Sequence, residues 1–380
     1  MTRVVVCGLA GLAPVGGMGL HYLQYCLGLR DLGVDVFYLE DNGWPPAPPD
    51  GVDDPVSYSV RWLADMFGEF DIPWSYAGPD GVYHGAGEAE AVARCASADL
   101  LLNVSGGHEP QGHRRAARTL AYVDTDPGFI QVPAATGDRY RYDLLAGHDL
   151  RFTWAEAIGT PSCRLPTAGL TWLPTRQPVH LPLWTPVPDT PGSVYTTIMN
   201  WDTTGRFVTW QGERWGQKDA EFGLIRGLPA RTGFEFEVAL RAPAQVRTEL
   251  ADEGWRVRDA EQMSRTVWDV RDYLAASKAE VTVVKQAYAR SGSGWFPERS
   301  ANYLAAGRAV VCQDTGWSAV LDAGDGPGLF AVSTPDEAEA AVREVERDPS
   351  RHGAAARRVA AAHFDARVVL ERLLSDAGVD

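Results

Sequence analysis

The hydrophobic positions at the start of the chain form a strand–helix–strand pattern. Residues 4–7 (VVVC) are a β-branched run typical of a strand buried on both faces. Leucines then recur at roughly helical spacing from Leu20 to Leu32, and a second apolar run follows at 36–39 (VFYL). Two strands joined in this way by a helix are parallel. The pattern therefore predicts a βαβ unit and an α/β fold.

The same alternation continues in two series. In the first, we predict strands at 99–104 and 121–123, weaker strands at 150–153 and near Leu170, and helices at 89–95 and 114–120. In the second, we predict strands at 194–199, 234–240, 280–284 and 309–312, and helices at 300–306, 335–347, 352–363 and 366–374. Each series is typical of a Rossmann-like, doubly wound domain.

A proline-rich segment separates the two series. Between Thr171 and Gly192 there are six prolines, which favour an extended, stiff connector: Pro174, Pro178, Pro182, Pro186, Pro188 and Pro191. We therefore predict a hinge-like linker between two domains. The expected boundaries are 1–175 for the first domain, 176–192 for the linker, 193–362 for the second domain and 363–380 for a helix that packs back on the first domain.

Composition narrows the function. The chain has 380 residues and a formal net charge of −15, without a basic run that could bind nucleic acid or an anionic membrane. No apolar stretch reaches the roughly 18 residues of a membrane span. The five cysteines are scattered without a CxxC pair, so neither a zinc ribbon nor a disulfide framework is indicated. We expect a soluble cytoplasmic protein without stable membrane insertion. The sequence leaves its oligomeric state open.

A glycine-rich stretch at 14–19 (PVGGMG) joins the first strand to the first helix. Gly16 and Gly17 let backbone amides approach a ligand at a helix N-terminus, which suits a sugar phosphate or another anion. The glycines lack the GxGxxG spacing, so dinucleotide binding loses support. The alternative interpretation is an ordinary tight turn.

A second polar loop, 291–300 (SGSGWFPERS), lies between a predicted strand and a predicted helix. Helix amides, serine hydroxyls and a guanidinium can together hold a diphosphate, and this loop supplies four such residues: Ser291, Ser293, Arg299 and Ser300. A capped loop without a ligand is the alternative.

Three stretches resemble motifs of the GT-B glycosyltransferases. Residues 302–307 (NYLAAG), followed by a buried strand, resemble the family's donor-binding helix of pattern E-A-hydrophobic-A-x-G. Gly16 and Gly17 with His21 are similar to its G-G-x-x-x-H, and 215–219 (WGQKD) lies where the family often has a diphosphate-binding lysine, here Lys218. The resemblance implies a GT-B fold, in which two Rossmann-like domains face a central cleft. It also implies a nucleotide-diphosphate sugar as co-substrate, with no metal and no other cofactor.

The sequence departs from the family at two positions. Retaining members usually carry two glutamates separated by seven residues, and Gly294 and Asn302 appear at those positions here. An amide at Asn302 can still bind a ribose hydroxyl, so nucleotide binding is expected to persist. The departure favours an inverting reaction over a retaining one.

An inverting transfer needs a base that removes the proton of the acceptor hydroxyl. Asp126, after a predicted strand, is the first candidate, with Asp124 as an orienting partner, and His21 is the rival base. An Asx turn before Pro127 is an equally good interpretation of the two aspartates. Their DxD spacing also resembles a metal motif of the other large glycosyltransferase class, which would leave the second domain unexplained. We predict no metal site.

Aromatic residues are numerous in the first domain, and flat rings suit sugar rings or flat acceptors, although core packing explains most of them: Trp44, Tyr58, Trp62, Trp74 and Tyr76. The sequence thus predicts a glycosyltransferase acting on a hydroxyl, or another nucleophile, of a small-molecule or saccharide acceptor. Two alternatives stay open: a nucleotide-sugar epimerase on the same scaffold, and a non-catalytic ligand-binding protein with two lobes.

Overall fold

The computed structural model describes residues 1–185, 187–202, 206–322 and 327–379. Pro186, one of the six connector prolines, lies outside these ranges. Within them the chain forms two domains, each built on a largely parallel sheet with helices packed against it. No helix in the described ranges combines the length and hydrophobicity needed to cross a lipid bilayer.

The first sheet has the strand order β4-β3-β2-β1-β5-β6-β7-β8. Only β4 runs antiparallel to its neighbour. The central strand pairs Val5 with Phe37 on one side and with Leu101 on the other. The strands are β1 Arg3–Cys7, β2 Asp35–Glu40, β3 Trp74–Ala77, β4 Tyr83–Gly85, β5 Leu100–Val104, β6 Leu120–Asp124, β7 Leu150–Thr153 and β8 Leu173–Pro174.

Five helices belong to this part of the chain: α1 Gly16–Asp31, α2 Pro55–Gly68, α3 Glu88–Ser97, α4 Gln131–Ala135 and α5 Arg139–Ala146. The predicted helix at 114–120 is wrong, because only a short 3₁₀ turn forms at Gly112–Ala116. The Arg114 side chain pairs with Asp41, and the amide of Arg118 donates to the carbonyl of Ala98. These contacts hold the backbone in an extended path that leads directly to β6, so a longer helix does not form.

The second sheet is parallel throughout, with the order β13-β12-β9-β14-β15-β16, and a separate hairpin is formed by β10 and β11. The strands are β9 Tyr195–Asn200, β10 Val208–Trp210, β11 Glu213–Trp215, β12 Phe236–Arg241, β13 Trp255–Asp259, β14 Ala279–Thr282, β15 Ala309–Gln313 and β16 Leu329–Val332. The helices are α6 Gly223–Arg226, α7 Leu228–Thr232, α8 Ala244–Asp252, α9 Val267–Ala275, α10 Gln286–Ser291, α11 Glu298–Ala305, α12 Pro335–Arg347, α13 Pro349–His363 and α14 Ala366–Asp376.

The connector is not extended throughout, because a 3₁₀ turn forms at Leu181–Trp184. The backbone amide of His180 donates to Oε1 of Gln24 at 3.1 Å. The same glutamine donates from Nε2 to Oδ1 of Asn302, at 3.2 Å. One buried side chain on α1 therefore holds both the connector and the second domain.

Helix α14 follows the second domain in sequence but lies against α1 of the first. A side chain at Gly28 would bring its Cβ within 2.6 Å of Ala366 Cβ and of Leu370 Cδ1. Glycine at this position therefore permits the close approach of the two helices.

Candidate active site between the two domains

A cleft of about 810 Å³ lies between the domains, and both contribute side chains to it. Ser105 and Thr125 follow strands β5 and β6 of the first domain, and Lys285 follows β14 of the second. Parallel α/β sheets bind ligands beyond the carboxyl ends of their strands. The cleft occupies that position in both domains.

Three cationic side chains of the second domain line the cleft: Arg206, Lys218 and Lys285. Among the described residues, none forms a hydrogen bond or an ion pair with the amine of Lys218. Burial, reinforced by the nearby charges of Arg299 and Lys285, holds the pKa of Lys218 well below its usual range. The site thus holds a half-buried amine without an ion-paired anion among the described residues, and a bound anion would favour its charged form.

Asp126 of the first domain faces two of these cations. Its Oδ1 lies 2.7 Å from Nζ of Lys285, and its Oδ2 lies 2.9 Å from Nη2 of Arg206. The ring of Phe129 lies beside both cationic groups, 4.9 Å from Lys285 and 4.8 Å from Arg206. Both carboxylate oxygens of Asp126 are therefore already occupied.

His21 on α1 meets Glu298, the first residue of α11, across the domain boundary. Nδ1 of His21 lies 2.7 Å from Oε2 of Glu298. Nε2 lies 3.4 Å from Oγ of Ser105, which in turn lies 2.9 Å from Oγ1 of Thr125. An ionised carboxylate only accepts hydrogen bonds, so Glu298 favours the tautomer with the proton on Nδ1 and leaves Nε2 able to accept one.

Asp124 supports the neighbouring turn. It is 2% exposed and accepts hydrogen bonds from Oγ1 of Thr153 at 2.7 Å and from Nε2 of Gln131. It also accepts from the backbone amide of Asp126 at 3.3 Å, as in an Asx turn. Burial raises the pKa of Asp124 to about 6, although the Thr153 and Gln131 hydrogen bonds oppose the shift.

The polar loop proposed to hold a diphosphate is arranged differently from that expectation. Arg299 Nε pairs with the buried carboxylate of Glu280 at 2.6 Å, and its other nitrogens donate to Thr282 and to the carbonyl of Ile198. The three serines of the loop are fully buried and do not line the cleft: Ser291, Ser293 and Ser300. Arg299 therefore neutralises the charge of the buried Glu280 carboxylate, and neither residue lines the cleft.

The glycine stretch also differs from expectation, because Gly16 is the first residue of α1 and not part of the loop before it. A Cβ at Gly16 would come within 1.9 Å of the carbonyl oxygen of Thr266, so this glycine allows the two domains to touch. Gly17 has open space beside it and lines the cleft. Oδ1 of Asn302 accepts a hydrogen bond from Gln24, and Asn302 does not line the cleft.

Of the predicted site residues, the structure brings five to the cleft: Gly17, His21, Asp124, Asp126 and Lys218. The sequence analysis missed Glu298, Arg206 and Lys285. A signal for Lys285 was present, since the chain has only three lysines among its 35 basic residues. Two of these three, Lys218 and Lys285, line the cleft.

The two-domain arrangement recurs in solved structures of glycosyltransferases. HepE from Anabaena, in complex with UDP and glucose, aligns over 100% of both chains with a TM-score of 0.60 and 14% sequence identity. Sucrose-phosphate synthase from Thermosynechococcus elongatus aligns over 99% of both chains with a TM-score of 0.56 and 13% identity. The fold is that of the GT-B glycosyltransferases.

A third GT-B structure, AviGT4, a glycosyltransferase involved in avilamycin A biosynthesis, has a TM-score of 0.55 and 15% identity. It aligns over 99% of this chain and 97% of its own. No family model matches the sequence, and no curated protein matches it. At these identities the likeness establishes the fold alone.

Proposed function

We propose that the protein is a glycosyltransferase that moves a sugar from a nucleotide diphosphate to an acceptor hydroxyl. The observation that carries this proposal is the half-buried Lys218 side chain, which lines the cleft without a hydrogen-bonded or ion-paired anion among the described residues. A cationic group partly withdrawn from water is stabilised when a ligand supplies the opposite charge. A diphosphate supplies it, and the GT-B structures of HepE hold UDP in complex.

The diphosphate would be held by Lys218, Lys285 and Arg206. Charge-assisted hydrogen bonds from these cations stabilise the negative charge that develops on the leaving diphosphate. The first turn of α1, which contains Gly17, adds amide groups that have no partner within the helix. Because three side-chain cations meet at one wall of the cleft, we propose that the reaction is metal-independent.

His21 is our proposed general base, oriented by Glu298. The acceptor oxygen forms a bond to the anomeric carbon while the bond from that carbon to the phosphate oxygen breaks. The acceptor proton passes to Nε2 of His21, and the bonding electron pair leaves with the diphosphate. Glu298 stabilises the resulting imidazolium through the 2.7 Å contact to Nδ1. His21 is preferred to Asp126, because Asp126 lies against the cations that we propose for the diphosphate. Nε2 of His21 instead faces the hydroxyl of Ser105.

We further propose inversion at the anomeric carbon. The positions at which retaining relatives carry glutamates hold Gly294 and Asn302 here, and Asn302 is bonded to Gln24. Direct attack by the acceptor on the face opposite the diphosphate requires a single base, and the His21–Glu298 pair provides one.

Binding of UDP to the full-length protein tests the donor site. Lys218→Ala should weaken UDP binding at least tenfold, since a charge-assisted hydrogen bond contributes about 1.5–3 kcal/mol. The matched control is Lys278→Ala, because Lys278 belongs to the same domain but pairs with Glu346 outside the cleft. Calorimetry that finds equal losses in both variants would remove Lys218 from the donor site.

Turnover separates this function from its alternatives. UDP-glucose with a panel of hydroxyl acceptors should release UDP, and proton NMR of the product should show the anomeric configuration opposite to that of the donor. Isomerisation of UDP-glucose without an acceptor would identify an epimerase instead. Tight UDP binding with no turnover of any nucleotide sugar would favour a binding protein.

A further inference from the structure

The first-domain wall of the cleft is divided into a polar part and an apolar part. The polar part contains the hydrogen-bonded series His21–Ser105–Thr125, in which the side chains contact one another, and the charged residues Asp124, Asp126 and Arg141 also line this wall. The apolar part is formed by aliphatic side chains from the β1–α1 loop, α1, the segment before α4, and α5: Leu9, Leu12, Met18, Ile130 and Leu144. A ligand that places a hydroxyl near His21 would therefore extend over apolar surface.

Two aromatic side chains project from this apolar part. Trp44 is 44% exposed and Tyr140 is 57% exposed, and both line the cleft. Large apolar side chains exposed to water at one site mark a surface that a ligand covers. Rings of this kind bind flat partners by stacking, and they lose little conformational freedom in doing so.

The turn that carries Trp44 is held in place by a buried charge. Asp41, whose side chain is 1% exposed, accepts hydrogen bonds from the Tyr83 hydroxyl at 2.9 Å and from Nη1 of Arg114 at 2.8 Å. Oδ1 of the next residue, Asn42, accepts a hydrogen bond from the backbone amide of Trp44 at 2.9 Å. The indole is thus presented by an ordered turn, as a preformed binding surface requires.

The helix that carries Tyr140 extends the same surface. Tyr140 and Leu144 lie one turn apart on α5, so they share a helix face, and both also line a neighbouring pocket of about 210 Å³. Pro110 lines that pocket and packs against the end of α5, where a Cβ at Gly147 would come within 2.6 Å of its ring. The apolar surface therefore continues from the cleft past Tyr140 to Pro110, with the polar side chains of Glu109, Gln111 and Asp143 around it.

We propose that the acceptor is a hydroxyl compound with a flat, apolar ring system, which stacks against Trp44 and Tyr140 while its hydroxyl reaches His21. This inference rests on the proposed glycosyltransferase function and names its acceptor class. A saccharide needs several hydrogen-bonding side chains along its length. The wall around Trp44 and Tyr140 offers mainly aliphatic and aromatic groups, and Arg141 is the cation beside them.

Calorimetry with umbelliferone, a flat phenol, tests the proposal on the full-length protein in the presence of UDP. Trp44→Ala and Tyr140→Ala should each weaken umbelliferone binding about fivefold or more and leave UDP affinity unchanged. The control is Val368→Ala, an equally exposed apolar residue on α14 that does not line the cleft.

Each other outcome overturns the acceptor class. Cellobiose is titrated in parallel with umbelliferone, and binding of cellobiose alone would show a saccharide site. Umbelliferone binding that neither ring substitution alters would place the acceptor elsewhere, and no umbelliferone binding at all would reject the class. Failure of the proposed glycosyltransferase function is distinct, since it would appear as wild-type protein that does not bind UDP.

Discussion

The carboxylate of Asp126, in the first domain, lies 2.7 Å from the ammonium of Lys285, in the second. This ion pair crosses the cleft at the wall that we propose for the donor diphosphate. A carboxylate of the protein and a phosphate of the donor would thus compete for the same cation. Donor binding is expected to displace Asp126.

Asp126→Asn should therefore tighten UDP binding. Removing the competing charge leaves Lys285 and Arg206 to the ligand, and partly exposed ion pairs of this kind contribute up to about 1 kcal/mol each, so the gain should be about two- to tenfold. Calorimetry measures it, with Glu253→Gln as control, because Glu253 pairs with Arg226 away from the cleft. Weaker UDP binding would show that Asp126 contacts the donor favourably, and a hundredfold loss of turnover would restore it as the base.

UDP binding should be accompanied by proton uptake at Lys218. In the free protein, burial and nearby cations hold the pKa of Lys218 low, and a diphosphate would raise it towards the ordinary value. Between the two values binding takes up a proton, so affinity falls as pH rises. Calorimetry at pH 8.5 in buffers of different ionisation enthalpy should detect the uptake. Lys218→Arg, whose guanidinium stays charged, should lack it; equal uptake in both would assign the proton to another group.

His21→Ala should lower turnover by about 10²–10⁴, the usual contribution of a general base, with UDP affinity nearly unchanged. Glu298→Gln should lower it less, since the glutamine still contacts Nδ1 but no longer stabilises an imidazolium. Initial rates of UDP release across pH measure both effects. His84, which lies on β4 outside the cleft, supplies the control substitution His84→Ala. A His21→Ala enzyme with normal rates would end this assignment.

Arg299→Ala should destabilise the fold. The substitution leaves the Glu280 carboxylate buried without its 2.6 Å partner, and losses for such broken pairs are about 3–5 kcal/mol. Lys218→Met, by contrast, removes a half-buried amine whose pKa is held low and should leave stability unchanged or raised. Urea denaturation of the two variants measures the difference. Similar midpoints for both would contradict the distinction between a structural and a ligand-binding cation.

Gly28→Ala should weaken the contact between α1 and α14. The added Cβ would come within 2.6 Å of Ala366 Cβ, and overpacking of this kind costs about 1–3 kcal/mol. Gly68→Ala, at the end of α2 with no atom nearby, should be neutral or stabilising, because alanine favours helix. Thermal unfolding of both variants checks the opposite signs. A stabilised Gly28→Ala protein would show that the helices separate easily.

Much of the fold was predictable because the spacing of hydrophobic residues along the chain reflects which positions are buried against a parallel sheet. Strand β15 and helix α12, predicted at 309–312 and 335–347, occur at Ala309–Gln313 and Pro335–Arg347. The helix predicted at 114–120 failed because a distant side chain, Asp41, determines the local backbone. Such long-range contacts leave no periodic signal.

The site was harder to predict for the same reason. Lys218 and His21 carry local motifs, and the structure places both at the cleft. Arg299 has the chemistry of a diphosphate ligand, but its partner Glu280 lies on a neighbouring strand, so the ion pair is visible only after folding. Glu298 was hidden for the converse reason, since its partner His21 is 277 residues away in the chain.

The position of α14 has a consequence for biosynthesis. Because this helix packs on α1 after the intervening second domain, the first domain is assembled from two separated stretches of chain, and the second is in effect inserted into it. During synthesis on the ribosome, the face of α1 that contains Gly28 stays uncovered until α14 has been translated. The second domain can complete its sheet earlier. The first domain, although its sheet is translated first, therefore cannot cover this face of α1 until the second domain has been synthesised.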